Sequence, residues 1–423
     1  YDNELNYPPY GLGLQADGKL MTGHGYSSSY DATSMFRFNE NGSADSTFNF
    51  SGNSLLASNL SGLISKYSGV KSVSCFLDGS VAFSGYFDSA VKNGVSYSVS
   101  KILKVSELGS FVSYSAPISC WDLGTRFFNR EAPYLISLSN NEAYIYGEFN
   151  ALGTTDKRTG IAKLGTSGVL LASFVPAIGF YNISNFSNTY YHDVRCVFPQ
   201  SDGKLIVAGD FESYDENADK KHLVRITSTG SLDNTFNPFP NNGCAVIAAQ
   251  ADGKYLVAGD FTSIGGATGL SGLARLNNNG TWDSSFAASL NGSILSMQCR
   301  VDGKIIIAGL FSQVNGVSRI GYAVLNNDGT LATDYASLSA DASVYGVALQ
   351  NDGKTVLGGP FSRIGGTTRE YLARLIPDVP AVNTLTIDDN GSLVEWTRSG
   401  SAPEIENAEF RMRLSPATTF STL

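Results

Sequence analysis

The chain has 423 residues, 42% of them hydrophobic and only 16% charged, with 45 glycines, 24 phenylalanines and 21 tyrosines. Its net charge of -9 lacks the basic footprint of a nucleic-acid binder and disfavours an anionic membrane surface. No apolar run approaches the roughly 20 residues of a membrane helix, so membrane insertion is not expected.

The chain opens "YDNELNYPP", which lines up with a later stretch, "LDNTFNPFP" at Leu232–Pro240. A hairpin signal follows, Asp-Gly between two apolar runs, at Asp17. It returns at Asp78, Asp202, Asp252, Asp302 and Asp352, with a degenerate copy, "SNNEAYIYGEF", marked by Asn141. Asp-Gly in this setting predicts a type I′ turn, in which both central residues take positive φ. The last four markers are 50 residues apart, whereas the earlier spacings are 61, 63 and 61. The early units therefore carry insertions of about a dozen residues each.

After each turn comes a buried-type strand such as "KLIVAG", with a glycine at Gly23, Gly85, Gly147, Gly209, Gly259, Gly309 or Gly359. A recurrent strand glycine points to crowding at one repeated place. A further strand follows ("MFRF", "HLVRIT", "GLARLN", "YLARLI"), then a turn such as "NNNG", then a short "DxxF" segment as at Asp283–Phe286. Four short strands in roughly 50 residues is one propeller blade.

The seventh unit stops at "IPDVP" and lacks its "DxxF", while the N-terminus carries one to spare. The expected fold is therefore all-β: a closed seven-bladed β-propeller over residues 1–377, whose N-terminal strand completes the last blade. An open β-solenoid is the alternative. Residues 378–423 read as a C-terminal β-strand module or the start of a further small β domain.

The motif "DGKxxxAGxF…G…LARLNxDGxxDxxF" resembles the delta-60 repeat family of bacterial and phage β-propellers, most fully over 200–376. His24 and Gly25 interrupt "AGxF" in the first unit, and the third lacks Asp-Gly. The resemblance implies a propeller of a virion, a cell surface or a secreted protein. It implies no single activity.

Catalytic chemistry is not legible. His24, His192 and His222 stand in different units without metal-ligand spacing, and no G-x-S-x-G elbow occurs. Asp210 and Asp260 share one place in adjacent units, but the other units carry Tyr86, Glu148, Leu310 and Pro360 there, so strand-end capping is the expectation. Cys75, Cys120, Cys196, Cys244 and Cys299 form no CxxC pair and are expected as buried thiols. No catalytic, cofactor or metal residue is assigned.

The insertions are the better candidates. One spans 49–70. Another, "GFYNISNFSNTYYHD" at 179–193, holds Tyr181, Phe186, Tyr190 and Tyr191, rings that suit glycan or protein contact or else fold back over a blade. The expected function is a non-catalytic scaffold and recognition module on a phage virion: tail, fibre or capsid appendage. A bacterial surface or secreted adhesin, or a glycan hydrolase or lyase at the propeller channel, are the alternatives. Expected partners are other virion or surface proteins and host glycan, within a larger assembly.

Overall fold

The computed structural model describes residues 8–24, 35–48, 54–56, 69–85, 87, 89–92, 95–98, 101–112, 133–147, 158, 160–179, 194–215, 217–335, 337–388, 393–404, 411–412 and 421–422. Among them all regular structure is β, apart from one 3-10 turn at Thr333–Tyr335.

Each repeat builds an antiparallel sheet in the order inner, middle, outer. In the fifth repeat the inner strand is Cys244–Ala249, the middle Tyr255–Gly259 and the outer Leu273–Leu276. Six described sheets of three strands and one of four follow this order. Among the described residues the four-strand blade is met only in the second repeat, where Phe111–Val112 pairs with Ile102–Val105. Elsewhere the returning "DxxF" segment touches the outer strand at a single bridge, such as Leu276 with Trp282. Three strand pairs that the repeat pattern did not announce, such as Ser263–Ile264 with Ala267–Thr268, are interposed between the middle and outer strands of the last three repeats.

The turns differ from the type I′ expectation. In "QADGK" the Gly253 N–H donates to the Gln250 carbonyl and the Gln250 N–H to the Lys254 carbonyl, both at 2.9 Å. Only Gly253 has positive φ, at 78°. This is a three-residue loop, a type I turn closed by a left-handed residue. Asp252 serves through its side chain, which accepts the Lys254 N–H at 3.1 Å. The third repeat fits the same scheme with the register moved by one. Asn140 takes the Asp role, accepting the Glu142 N–H, and Asn141 takes the Gly role at φ 61°. In the first repeat His24, not Gly23, occupies the recurrent glycine place, since Pro9 pairs with His24 as Val70 does with Gly85.

The core lies between sheets. One cluster joins Leu256 and Ala258 of the fifth repeat to Ile305 and Ile307 of the sixth, and equivalent clusters join each described sheet to the next. A seventh joins Leu20 and Phe38 of the first repeat to Ala348, Val356 and Leu372 of the last.

A charged clamp recurs in the first, fourth and fifth repeats. Arg225 on an outer strand binds Asp233 of "DxxF" (Nε–Oδ2, 2.8 Å) and lies over Phe236, 5.1 Å from its ring centre. It also reaches the Asn278 carbonyl in the next repeat's turn, at 2.9 Å. Arg37–Asp45–Phe48 and Arg275–Asp283–Phe286 do the same, reaching the Glu107 and Asn327 carbonyls. "LARLN…DxxF" is therefore an inter-blade fastener. Arg374 of the last repeat reaches back to the Glu40 and Asn41 carbonyls, in the corresponding turn of the first.

The sixth repeat breaks this pattern in a coordinated way. Val324, Ala332 and Tyr335 stand where Arg, Asp and Phe stand in the first, fourth and fifth repeats, and Arg300 stands where those repeats have a glutamine before the turn. Arg300 is buried, donates to the Tyr335 hydroxyl and pairs with Asp302, and its Nη2 lies 3.6 Å from Asp378 in the segment after the last sheet. That segment continues as a hairpin, Val382–Ile387 with Val394–Ser399. Gly400–Glu404 then runs antiparallel to Cys299–Asp302, with Ser401 and Ala402 fully buried.

Candidate recognition face

Chain direction sorts the loops onto two ends of the sheets. Inner and middle strands meet at the Asp-Gly turn, and the outer strand ends beside it. Connections from middle to outer strand, and from each repeat to the next inner strand, emerge at the opposite end. The long insertions leave and rejoin the described strands at this second end. The tail segment Gly400–Glu404, which meets the turns at Cys299–Asp302 and Gly353, lies at the first.

The second end is built out beyond the blades. Ser54–Leu56, from the insertion at 49–70, pairs with Ser89–Lys92, which pairs with Val95–Ser98. Two insertions thus make one extra three-stranded sheet. In the last three repeats the same end is pinned by Asn241, Asn291 and Asp341. Their side-chain oxygens accept two successive backbone N–H groups from the following loop, as Asn241 does from Thr262 and Ser263 at 2.9 Å. Tyr181, Phe186, Tyr190, Tyr191 and His192 lie outside the described residues.

At this end Arg195, one residue into the inner strand Val194–Pro199, bridges the two repeated carboxylates. It pairs with Asp210 and, at 3.2 Å, with Asp260 of the next repeat. Asp210 and Asp260 are thus joined across a repeat boundary, beyond the capping role expected for each alone. Burial pushes the Asp210 carboxyl up; Arg195 pulls it back, and Asp260 and Glu212 push it up again. Reading motifs within one repeat could not show this pairing, because Arg195 has no counterpart at its own position in most units.

Other polar groups are accounted for differently. His24 Nε2 lies 2.8 Å from the Thr22 hydroxyl. His222 is buried, which lowers its pKa, and its Nδ1 has no partner among the described residues. Cys75, Cys196, Cys244 and Cys299 are free; burial raises all four thiols, Cys75 and Cys299 to about 12. Among the described residues no group of three His, Cys, Asp or Glu side chains could hold a metal ion, and no helix is long and apolar enough to cross a membrane.

These features define an all-β array of β-propeller repeats. Residues 15–48, 200–236, 250–286, 302–332 and 350–378 match the model of a family described as a domain of unknown function (DUF5122) beta-propeller. Five of the repeats match that family's model, in agreement with the delta-60 resemblance of the motif. No curated protein matches the chain. Among solved structures, a streptogramin B lyase is 16% identical with a TM-score of 0.42, over 84% of this chain and 92% of that one. The WD40 beta propeller domain of Doa1 is 12% identical with a TM-score of 0.44, over 87% and 92%. A GH74 xyloglucanase from Xanthomonas campestris is 10% identical with a TM-score of 0.47, over 92% of this chain but 54% of its own. Nothing about the activity of this chain follows from them.

Proposed function

We propose that the chain is a non-catalytic recognition module, a closed propeller of seven blades that presents its insertions outward and is held from the opposite end. The departure of the long insertions from one end of the described sheets, with the tail docked at the other, carries this reading. Ring closure is supported by the contacts of the last repeat with the first. Gln350 Nε2 donates to the Gly18 carbonyl as Gln15 Nε2 does to the Gly79 carbonyl, so the last repeat treats the first as its neighbour. The setting we favour is the exterior of a phage virion, with other virion proteins at the tail end and a host surface at the insertion end. In this reading Asp210 and Asp260 are organised by Arg195 and do no acid–base work.

The test replaces Tyr181, Phe186, Tyr190 and Tyr191 together by Ser. Attachment to host cells should be lost while the melting temperature stays within about 2 °C, because loops outside the sheets add little to the core. A large fall in melting temperature would assign these rings to packing. Release of reducing sugar from host polysaccharide by the intact protein would replace this reading with the enzymatic one. Antibody labelling of the source particle checks the virion setting.

A further inference from the structure

The inner strands share an irregularity. In five of them one residue is left out of the ladder between the first two pairs: Tyr10, Lys71, Arg195, Ala245 and Leu295. Tyr345 stands at the same distance before its own turn. These residues sit where the inner strands begin, at the insertion end, so repeat symmetry lines them along one rim. A bulge re-aims its side chain, and bulges gather at barrel rims and beside binding sites.

The rim is chemically uneven. Tyr10 and Tyr345, from the first and last repeats, stack with ring centres 5.3 Å apart and planes 28° from parallel. Tyr10 is 47% exposed. In the next repeat Lys71 places its ammonium 4.2 Å from the ring centre of Tyr134, itself stacked on Tyr146 at 5.3 Å. Arg195 follows, with its two carboxylates. The remaining rim positions are Pro133, Ala245 and Leu295. Aromatic pairs therefore occupy one arc, with charged groups between and beside them.

We propose that this arc binds a neutral oligosaccharide, with a sugar ring stacked on the Tyr10–Tyr345 pair and its hydroxyls bonded to the Lys71 and Arg195 groups. The proposal rests on the recognition reading and names its ligand class. A tyrosine presents an apolar face with a polar tip, which matches the C–H face and hydroxyl edge of a pyranose. A neutral sugar fits the charges better than an ion does. Arg195 is already paired with Asp210 and Asp260, so a charged ligand would have to break an ion pair. A hydroxyl both donates and accepts, and can join the cluster without displacing either partner. A protein partner fits less well, since a stable interface takes about 20–30 residues a side and this arc offers six.

The experiment uses the full chain and neutral hexasaccharides of glucose, mannose, xylose and N-acetylglucosamine. Saturation-transfer NMR and calorimetry read binding, and circular dichroism melts check folding. At least one hexasaccharide should bind. Tyr10→Ser with Tyr345→Ser should weaken it by about tenfold or more, as for an aromatic anchor. Tyr10→Phe with Tyr345→Phe keeps the stack and should stay within about threefold, which separates loss of the platform from loss of the fold. Binding unchanged in the Ser variant overturns the proposal, and so does the absence of binding to all four probes. If the protein binds none of them yet still attaches to cells, the rim assignment fails and the recognition reading stands. If it does neither, both fail.

Discussion

Gly253 and Gly259 stand in one hairpin and answer to different constraints. Gly253 has φ 78° with open space where a Cβ would go, so only backbone strain opposes a side chain there. Gly259 is crowded: a Cβ would lie 2.2 Å from the Gly243 carbonyl oxygen, and the equivalent atoms at Gly85, Gly309 and Gly359 would lie 2.0, 2.1 and 2.5 Å from Gly69, Ser293 and Ser343. Gly253→Ala should therefore cost about 1–2 kcal/mol, the usual strain of a left-handed residue. Gly259→Ala should cost about 3 kcal/mol or more, since the clash is with backbone that must move. Urea denaturation of the two variants checks the order, and equal losses would remove crowding as the reason for the recurrent glycine. Crowding was legible from recurrence alone. The turn type was not, because Asp-Gly suits both a two-residue loop and the third position of a longer one, and only the hydrogen-bond pattern separates them.

At the scale of the element, the clamp carries a pH dependence. Burial pushes the Asp45 carboxyl up, but bonds from the Thr47 hydroxyl and N–H outweigh it, with Arg37 and Lys19 adding to them, and hold it at about 2. Asp233 and Asp283 lie lower still, through Thr235 with Lys204 and Arg225, and through Lys254 and Ser285 with Arg275. A carboxylate depressed in the folded state adds stability that is complete above its unfolded value of about 4 and is lost as the pH falls through the folded one. The melting temperature should thus fall between about pH 4 and pH 2, and the fall should be shallower in Asp283→Asn. Parallel acid limbs for wild type and variant would show that the clamp contributes no such term. "LARLN" and "DxxF" were visible as motifs, but their joint meaning was not, since the partners are eight residues apart within a repeat and the third contact is in the next. The tail likewise reads from sequence as a C-terminal β module, with no sign in its own residues of where it docks. Its docking follows from four substitutions in the sixth repeat that look like decay in a motif scan: Arg300, Val324, Ala332 and Tyr335.

At the scale of the whole molecule, the proposed closure of the ring has its own test. Arg374 occupies the clamp position of the last outer strand, yet among the described residues no carboxylate meets it. Where its own repeat would supply Asp and Phe, the chain has Val382 and Leu385, both exposed in the tail hairpin. The segment "YDNEL" aligns Asp2 with Asp233, so closure by the N-terminus predicts that Asp2 supplies the carboxylate for Arg374. A double-mutant cycle on Asp2→Ala and Arg374→Ala tests this without removing any strand. Partners in contact show coupling of about 0.5–3 kcal/mol, whereas distant sites add within about 0.5 kcal/mol. The cycle on Asp283→Ala and Arg275→Ala supplies the scale, because that pair is in contact at 2.8 Å. Coupling of similar size in the two cycles is the expected outcome. Additive effects at Asp2 and Arg374, beside clear coupling in the internal pair, would mean that the N-terminus does not complete the last blade, and the array would then be a stack whose ends merely touch.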